Sequence, residues 1–204
     1  MGLYSDYIFP KFYDLVVQHK SFDALRENFL DSVEGNILEI GIGTGLNLDH
    51  YPKRVTEITA IDPNPGMERE LKYKLNKRKL QVKFFRSGAE ALPFKDESFQ
   101  TVVSTLTLCS IPNLPRALSE IRRVLTPTGK FIFLEHGLSP DRWVANLQFA
   151  LNPIQNRIGC GCRLTVDVEK ELRSAGLGIR SVRRYYVPNA PKFIGSVFEG
   201  AAVR

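Results

Sequence analysis

Apolar and polar positions change period along the chain, and each change marks an element. Around residues 12–30, Phe12, Leu15, Phe22, Leu25 and Phe29 fall at helical spacing. Residues 36–41 (NILEIG) form a short apolar run, which predicts a buried strand; glycines follow, with a short helix expected after them. Residues 55–62 read as a second strand, 64–78 as a helix and 80–85 as a third strand. Residues 99–108 are rich in β-branched side chains and predict a fourth strand ending near Leu106. Residues 113–126 are amphipathic at helical period, with Pro127 and Gly129 as stops. Residues 129–136 (GKFIFLEH) are apolar nearly throughout, as central parallel strands are. Residues 166–177 predict a helix ending on glycine. Two last strands, 179–188 and 192–204, are joined by Pro-Asn-Ala-Pro, too short for a crossover helix. That pair must be antiparallel.

Strands alternating with helices imply an α/β fold, a doubly wound and mostly parallel sheet. Such sheets bind ligands at the carboxyl ends of their strands, near the switch point. The unusual residues cluster there, at 41–45, 62–64, 89–90, 105–110 and 135–137. Residues 139–165 break the alternation. They hold the only tryptophan, and Trp143, Leu147, Leu151 and Ile154 share a helical face. The segment is expected over the carboxyl edge as a lid or substrate wall. Trp143, Phe149 and Phe9 suggest an apolar acceptor pocket or a buried lid. Without repeats or linkers, residues 1–204 read as one domain with a helical cap (1–34) and an inserted lid (139–165).

At 204 residues the chain can bury a full core. Its charge of +6 gathers at residues 71–79 and at Arg180, Arg183 and Arg184. Such charge fits solvated faces, or contact with an anionic surface. No zinc-finger, helix-turn-helix or RNA-binding signature appears, so no nucleic-acid partner is expected. The three cysteines, Cys109, Cys160 and Cys162, include no C-x-x-C, which argues against a disulfide framework and a zinc site. His19, His50 and His136 are scattered. No apolar run approaches the roughly 20 residues of a membrane-spanning helix, and no signal peptide stands at the start. A reducing cytoplasm is the expected compartment, with peripheral membrane contact as a second possibility.

The glycine turn narrows the chemistry. A third dinucleotide-type glycine would stand at position 46, which is Leu46. The pattern is instead E-x-G-x-G-x-G, from Glu39, Gly41, Gly43 and Gly45. Asp62 ends the next strand, where a carboxylate can accept both hydroxyls of a ribose. Glu39 would repel a pyrophosphate and welcome an ammonium. A nucleoside joined to an amino acid, S-adenosylmethionine, fits better than NAD.

In combination, ILEIGIGTG, IDPNPGM, GAEALPFKDESFQTVVSTLTLCSI and ALSEIRRVLTPTGKFIFLEH resemble the ordered motifs of class I S-adenosylmethionine-dependent methyltransferases, continuously over residues 37–136. The resemblance implies a seven-stranded sheet with its last strand antiparallel. It implies that Gly41, Gly43 and Gly45 approach the methionine part and that Asp62 holds the ribose. Pro63 and Asn64 would flank the adenine, Ala89 would face its ring, and Thr105 and Leu106 would line the methionine side. Many relatives carry an acid just before that alanine. Here it is Gly88, so Glu90 or a backbone carbonyl stands in. IDPNP, TLTLCSI, FLEH, GCRLT and GAAVR further resemble the methyltransferase-like thiol S-methyltransferases (methyltransferase type 11 domain). Those relatives carry an N-terminal membrane helix that this chain does not show. The glycine turn also resembles that of bacterial phospholipid N-methyltransferases and quinone C-methyltransferases.

The expected activity is therefore methyl transfer from S-adenosylmethionine to a small, fairly apolar acceptor, a thiol first. The alternatives are a phospholipid or quinone methyltransferase at a membrane surface, in keeping with the aromatic start LYSDYIFPKFY, and a non-catalytic S-adenosylmethionine-binding regulatory protein. His136, at the end of the fifth strand, is the candidate base or else a hydrogen-bonding partner of the lid. Tyr13 either closes over the methyl donor or packs. Glu135 reads as a structural partner, Cys109 as a core residue, and Cys160 and Cys162 as lid or substrate contacts.

Overall fold

The computed structural model describes residues 2–17, 20–75 and 80–204, without the side chains of residues 12, 15–17 and 20–23. The packing expected of Phe12, Leu15 and Phe22 lies outside the described residues, as do His19 and the part of the basic stretch at 76–79.

Seven strands form one sheet in the order β3-β2-β1-β4-β5-β7-β6. They are β1 (Ile37–Ile40), β2 (Glu57–Ile61), β3 (Gln81–Phe85), β4 (Phe99–Thr105), β5 (Leu125–His136), β6 (Gly178–Tyr186) and β7 (Ser196–Val203). β1 pairs parallel with both β2 and β4. The chain therefore switches direction across the sheet at β1, opening a crevice at its carboxyl end. β7 inserts between β5 and β6 and is antiparallel to both.

The helices are α1 (Phe9–Val17), α2 (Lys20–Leu30), α3 (Pro65–Leu75), α4 (Leu114–Val124), α5 (Arg142–Ile158), α6 (Val168–Ser174) and α7 (Lys192–Gly195), with a π-helical turn (Tyr4–Ile8) and a 3-10 turn (Leu108–Ser110). The period-two alternation of β5 explains the two layers. Phe131 and Phe133 face one side, with Leu118 and Ile121 of α4 and Leu172 of α6. Ile132 and Leu134 face the other, with Phe29 and Leu30 of α2 and Leu71 of α3. In α4, Leu114, Ala117, Leu118, Ile121 and Val124 form one buried stripe, and the Asn113 side chain caps the helix by accepting from Arg116 N.

Three boundaries differ from the sequence reading. α4 stops at Val124 and β5 begins at once, because Pro127 disfavours helix in the residue before it and Leu125 pairs with Phe99. Residues 192–195 are a helical turn, not strand. No helix follows the glycine turn; residues 43–50 form successive tight turns closed by Gly45 N to Ile42 O, Leu48 N to Gly45 O and His50 N to Asn47 O.

Candidate active site

A cavity of about 460 Å³ opens at the carboxyl ends of β1, β2 and β4. The chain leaves β1 through Gly41 (φ +68°) and Gly43 (φ +56°), both left-handed. A Cβ on Gly41 would lie 2.3 Å from the Thr107 methyl, so that glycine lets two loops meet. A Cβ on Gly43 would find only Met67 Sδ, at 4.0 Å, and would project into cavity space. Gly45 does not line the cavity; it packs beneath the turn, against Leu48 and Leu71.

Two buried carboxylates flank this turn. Asp62 accepts from Gly43 N at 3.0 Å and from Asn64 N at 2.8 Å. Burial pushes its carboxyl up to about 6, against the pull of those amides. Glu39, at 2% exposure, accepts from Asn47 Nδ2 at 2.8 Å and Tyr51 Oη at 2.9 Å. Burial pushes it up to about 7; the two donors and the charge of Arg26 oppose the rise. Asn47 also donates to Thr105 Oγ1 at 2.9 Å, tying the turn to the end of β4.

The remaining walls are built by neighbouring loops. Pro63 and Asn64 line the cavity, and Asn64 Oδ1 caps α3 by accepting from Gly66 N at 2.7 Å and Met67 N at 3.2 Å. Ala89 and Glu90 sit on a loop held by α4: Glu120 accepts from Leu92 N at 2.8 Å, and Arg123 donates to Phe94 O at 2.8 Å. Glu90 Oε1 accepts from Asn113 N at 3.3 Å. Thr105 and Leu106 line the wall because Glu135 clamps their loop. Its fully buried carboxylate accepts from Ser104 Oγ at 2.6 Å, Thr107 N at 2.9 Å and Leu108 N at 3.1 Å. Leu106 is thereby held left-handed, at φ +52°.

Residues 38–133 match the family model for a methyltransferase domain. Thiol S-methyltransferase TMT1B of Homo sapiens is 36% identical over 172 residues, covering 82% of this chain and 70% of the relative. Thiol S-methyltransferase TMT1A of Homo sapiens is 34% identical over 187 residues, covering 90% of this chain and 76% of the relative. The chain belongs to the S-adenosylmethionine-dependent methyltransferases. The fold agrees: a Haloferax volcanii protein, solved in complex with the Trm112 methyltransferase activator, superposes with a TM-score of 0.73 over 98% of this chain and 95% of that one, at 16% identity.

S-adenosylmethionine is the cofactor of this methyltransferase, and the site suits it. Two buried carboxylates in one cavity favour a ligand carrying positive charge and hydroxyl donors, and Gly43 leaves room for it against the backbone. The structure adds a residue that the sequence reading missed. Arg26, 1% exposed, lines the same cavity, and its charge acts on both Glu39 and Tyr13. The signal was an arginine on the α2 stripe that also carries Phe29 and Leu30, both buried.

Tyr13 lines the cavity beside Phe9, and the rings lie 5.8 Å apart. Burial pushes its hydroxyl well above the ordinary tyrosine value. His136 does not line the cavity. Its Nε2 faces Cys162 Sγ at 3.1 Å, behind the wall that Gly159 and Cys160 provide. Burial would lower its pKa, but contact with Cys162 and the charge of Glu135 raise it on balance.

The inserted helix α5 docks the opposite way from its apolar pattern. Its buried positions are Val144 and Gln148. Gln148 accepts from Ser139 N at 2.8 Å and donates to Gly137 O and Phe193 O, both at 3.0 Å; Asn152 accepts from Leu164 N at 2.8 Å. These amides satisfy loop backbone that would otherwise be buried without partners. Trp143 (60%), Phe149 (58%) and Ile154 (59%) are left in solvent, so Trp143 and Phe149 do not line an acceptor pocket. Leu3, Tyr7 and Ile8 are exposed as well, on the segment joined to α5 by the hydrogen bond from Tyr4 Oη to Ile158 O at 2.7 Å. No helix among the described residues is long and apolar enough to cross a membrane.

Proposed function

We propose that this methyltransferase methylates a small, fairly apolar thiol. The observation that carries the reading is the apolar share of the cavity wall. Phe9, Tyr13, Leu46, Ile111 and Pro112 line it, and no histidine does among the described residues. Such a site suits an acceptor that needs little help to become a nucleophile. A thiol ionises near pH 8.5, within reach of neutral solution, whereas hydroxyl and carbon acceptors need a strong base. The names of the two human relatives support the same choice.

When bound, S-adenosylmethionine supplies a methyl group on a positively charged sulfur. The protein's part is alignment and exclusion of water. Asp62, oriented by the Gly43 and Asn64 amides, accepts the ribose hydroxyls. Pro63, Ala89 and Glu90 frame the adenine. Glu39 meets the ammonium of the amino-acid end, and Arg26 its carboxylate. The thiol enters as its thiolate, its proton already given up to solvent, and the Arg26 charge favours that form. Tyr13 keeps its proton and donates a hydrogen bond rather than acting as base.

The deciding experiment offers a labelled methyl donor with alkyl thiols, hydrogen sulfide, phenols, quinols and phosphatidylethanolamine. Label in the thiols supports the proposal; label confined to phospholipid or quinol overturns it.

A second reading concerns where the enzyme works. The outward apolar face of α5, flanked by the exposed Arg142 and Arg157, supports peripheral contact with an anionic membrane. An apolar acceptor would then enter from the lipid.

A further inference from the structure

Three side chains that the cavity does not use converge behind its wall. Cys109 comes from the 3-10 turn after β4, His136 from the end of β5 and Cys162 from the loop after α5. One donor atom from each lies within 4.8 Å of the other two. All three residues are buried, and Cys162, at 9%, is the most exposed. His136 turns its Nε2 toward Cys162 Sγ, and its Nδ1 has no hydrogen-bond partner among the described residues.

The backbone is bent to bring these groups together. Cys160 (φ +49°) and Gly161 (φ +98°) are successive left-handed residues, and the first conformation costs a non-glycine residue about 1–2 kcal/mol. Asn156 holds that bend, accepting from Gly161 N at 2.8 Å and donating through Nδ2 to Gly161 O at 2.9 Å. Arg163 then fastens the loop to the 3-10 turn, donating to Cys109 O from its backbone at 3.0 Å and from its guanidinium at 3.2 Å.

We infer that Cys109, His136 and Cys162 bind one thiophilic divalent cation, zinc by first choice, which clips the end of α5 to the sheet behind the acceptor wall. Two sulfurs and one imidazole are the donor set zinc accepts in tetrahedral sites, with a water in the fourth position. Metal bonds of about 2.3 Å to sulfur and about 2.0 Å to nitrogen place the donors roughly 3.5–3.8 Å apart. The 3.1 Å contact between His136 and Cys162 opens slightly, and wider separations within the 4.8 Å limit close by side-chain rotation. Binding forms two metal–sulfur bonds and releases two thiol protons to solvent. Two thiolates cancel the charge of a divalent cation, so the loaded site is neutral and tolerates burial. Gln155 Nε2, 3.5 Å from Cys162 Sγ, remains to hydrogen-bond the bound thiolate. Cation binding would fix two stretches of wall, Gly159–Cys160 and Ser110–Ile111, whatever the acceptor is.

The test uses the full chain, reduced, freed of metal and titrated with cobalt(II), then zinc(II). One equivalent of cobalt is expected, with a sulfur-to-cobalt charge-transfer band that zinc abolishes. Cys109→Ala and Cys162→Ala should lower the stoichiometry at least tenfold, and Cys160→Ala should keep it. Circular dichroism and S-adenosylmethionine affinity check that each variant folds. If a variant does not fold, wild-type protein answers alone: with zinc bound, only one of its three thiols should react with a disulfide reagent, and chelating the zinc should let the other two react, equal reactivity with and without zinc counting against the inference. Absence of cobalt uptake, uptake unchanged in a folded Cys162→Ala, or three reactive thiols with zinc present would overturn the inference.

Discussion

Gly43 donates its backbone N–H to Asp62 Oδ2 at 3.0 Å, so the glycine turn and the acid at the end of β2 are one construction. The acid closes the turn, and the turn aims the acid. Asp62→Asn keeps the size but loses the charge and sets an NH2 against one of the two backbone donors, Gly43 N or Asn64 N, so it should weaken S-adenosylmethionine about ten- to a hundredfold, roughly 1.5–3 kcal/mol. Asp62→Ala should weaken it further. Calorimetry giving near-wild-type affinity for both would remove the ribose assignment.

Gly41 and Gly43 should respond differently to alanine. Gly41→Ala meets Thr107 and carries a positive φ, so it should lose about 1–3 kcal/mol of stability. Gly43→Ala has open space, so its stability should fall less and its cofactor affinity more. Thermal melts with and without S-adenosylmethionine separate the two effects.

Arg26→Met keeps the length of the side chain and removes the charge. Binding of S-adenosylmethionine and of S-adenosylhomocysteine should both weaken at least tenfold. Methylthioadenosine lacks the amino-acid end, and its affinity should stay within twofold. Equal losses for all three would mean that Arg26 supports the fold instead.

Glu39 and Asp62 give the ligand-free protein a definite pH response. Their carboxyls sit near 7 and 6 when folded, above their ordinary values of 4.5 and 3.8. A raised pKa means that the folded state holds protons the unfolded state has lost. The stability from these two groups is therefore complete below about pH 4 and is lost as pH rises through 6 to 7. A cationic ligand favours ionised Glu39, so its affinity should climb between about pH 5.5 and 7.5, with proton release. Calorimetry in two buffers of different ionisation enthalpy reads that release, and Glu39→Gln should flatten it.

The exposed face of α5 should matter only where lipid is present. Trp143→Ser combined with Ile154→Ser should reduce co-sedimentation with anionic vesicles at least fivefold and leave cofactor affinity unchanged in solution. No sedimentation of wild type at low salt would count against membrane contact.

Much of the candidate cofactor site was legible because its parts are local. A strand, a glycine turn and an acid at the next strand end lie within 26 residues, from Ile37 to Asp62. Arg26 was missed because a single arginine on an apolar helix stripe reads as noise until the helix is docked. Gly45 and His136 stood in the right stretches, yet their surroundings place them outside the cavity wall. The two-layer core followed from the apolar runs, whereas the place of β7 between β5 and β6 depends on pairing that is not local.

The sequence by itself determined the alternation of strands and helices, the antiparallel last strand and the make-up of the glycine turn. Local periodicity and short-range spacing carry that information. Only the tertiary structure decided which face of α5 turns inward. The amides of Gln148 and Asn152 had loop backbone to satisfy, and burial of that backbone outweighed the helix's own apolar stripe. It also decided the meeting of Cys109, His136 and Cys162. No sequence spacing joins them, because the strand ends and loops that carry them meet only when the sheet is assembled.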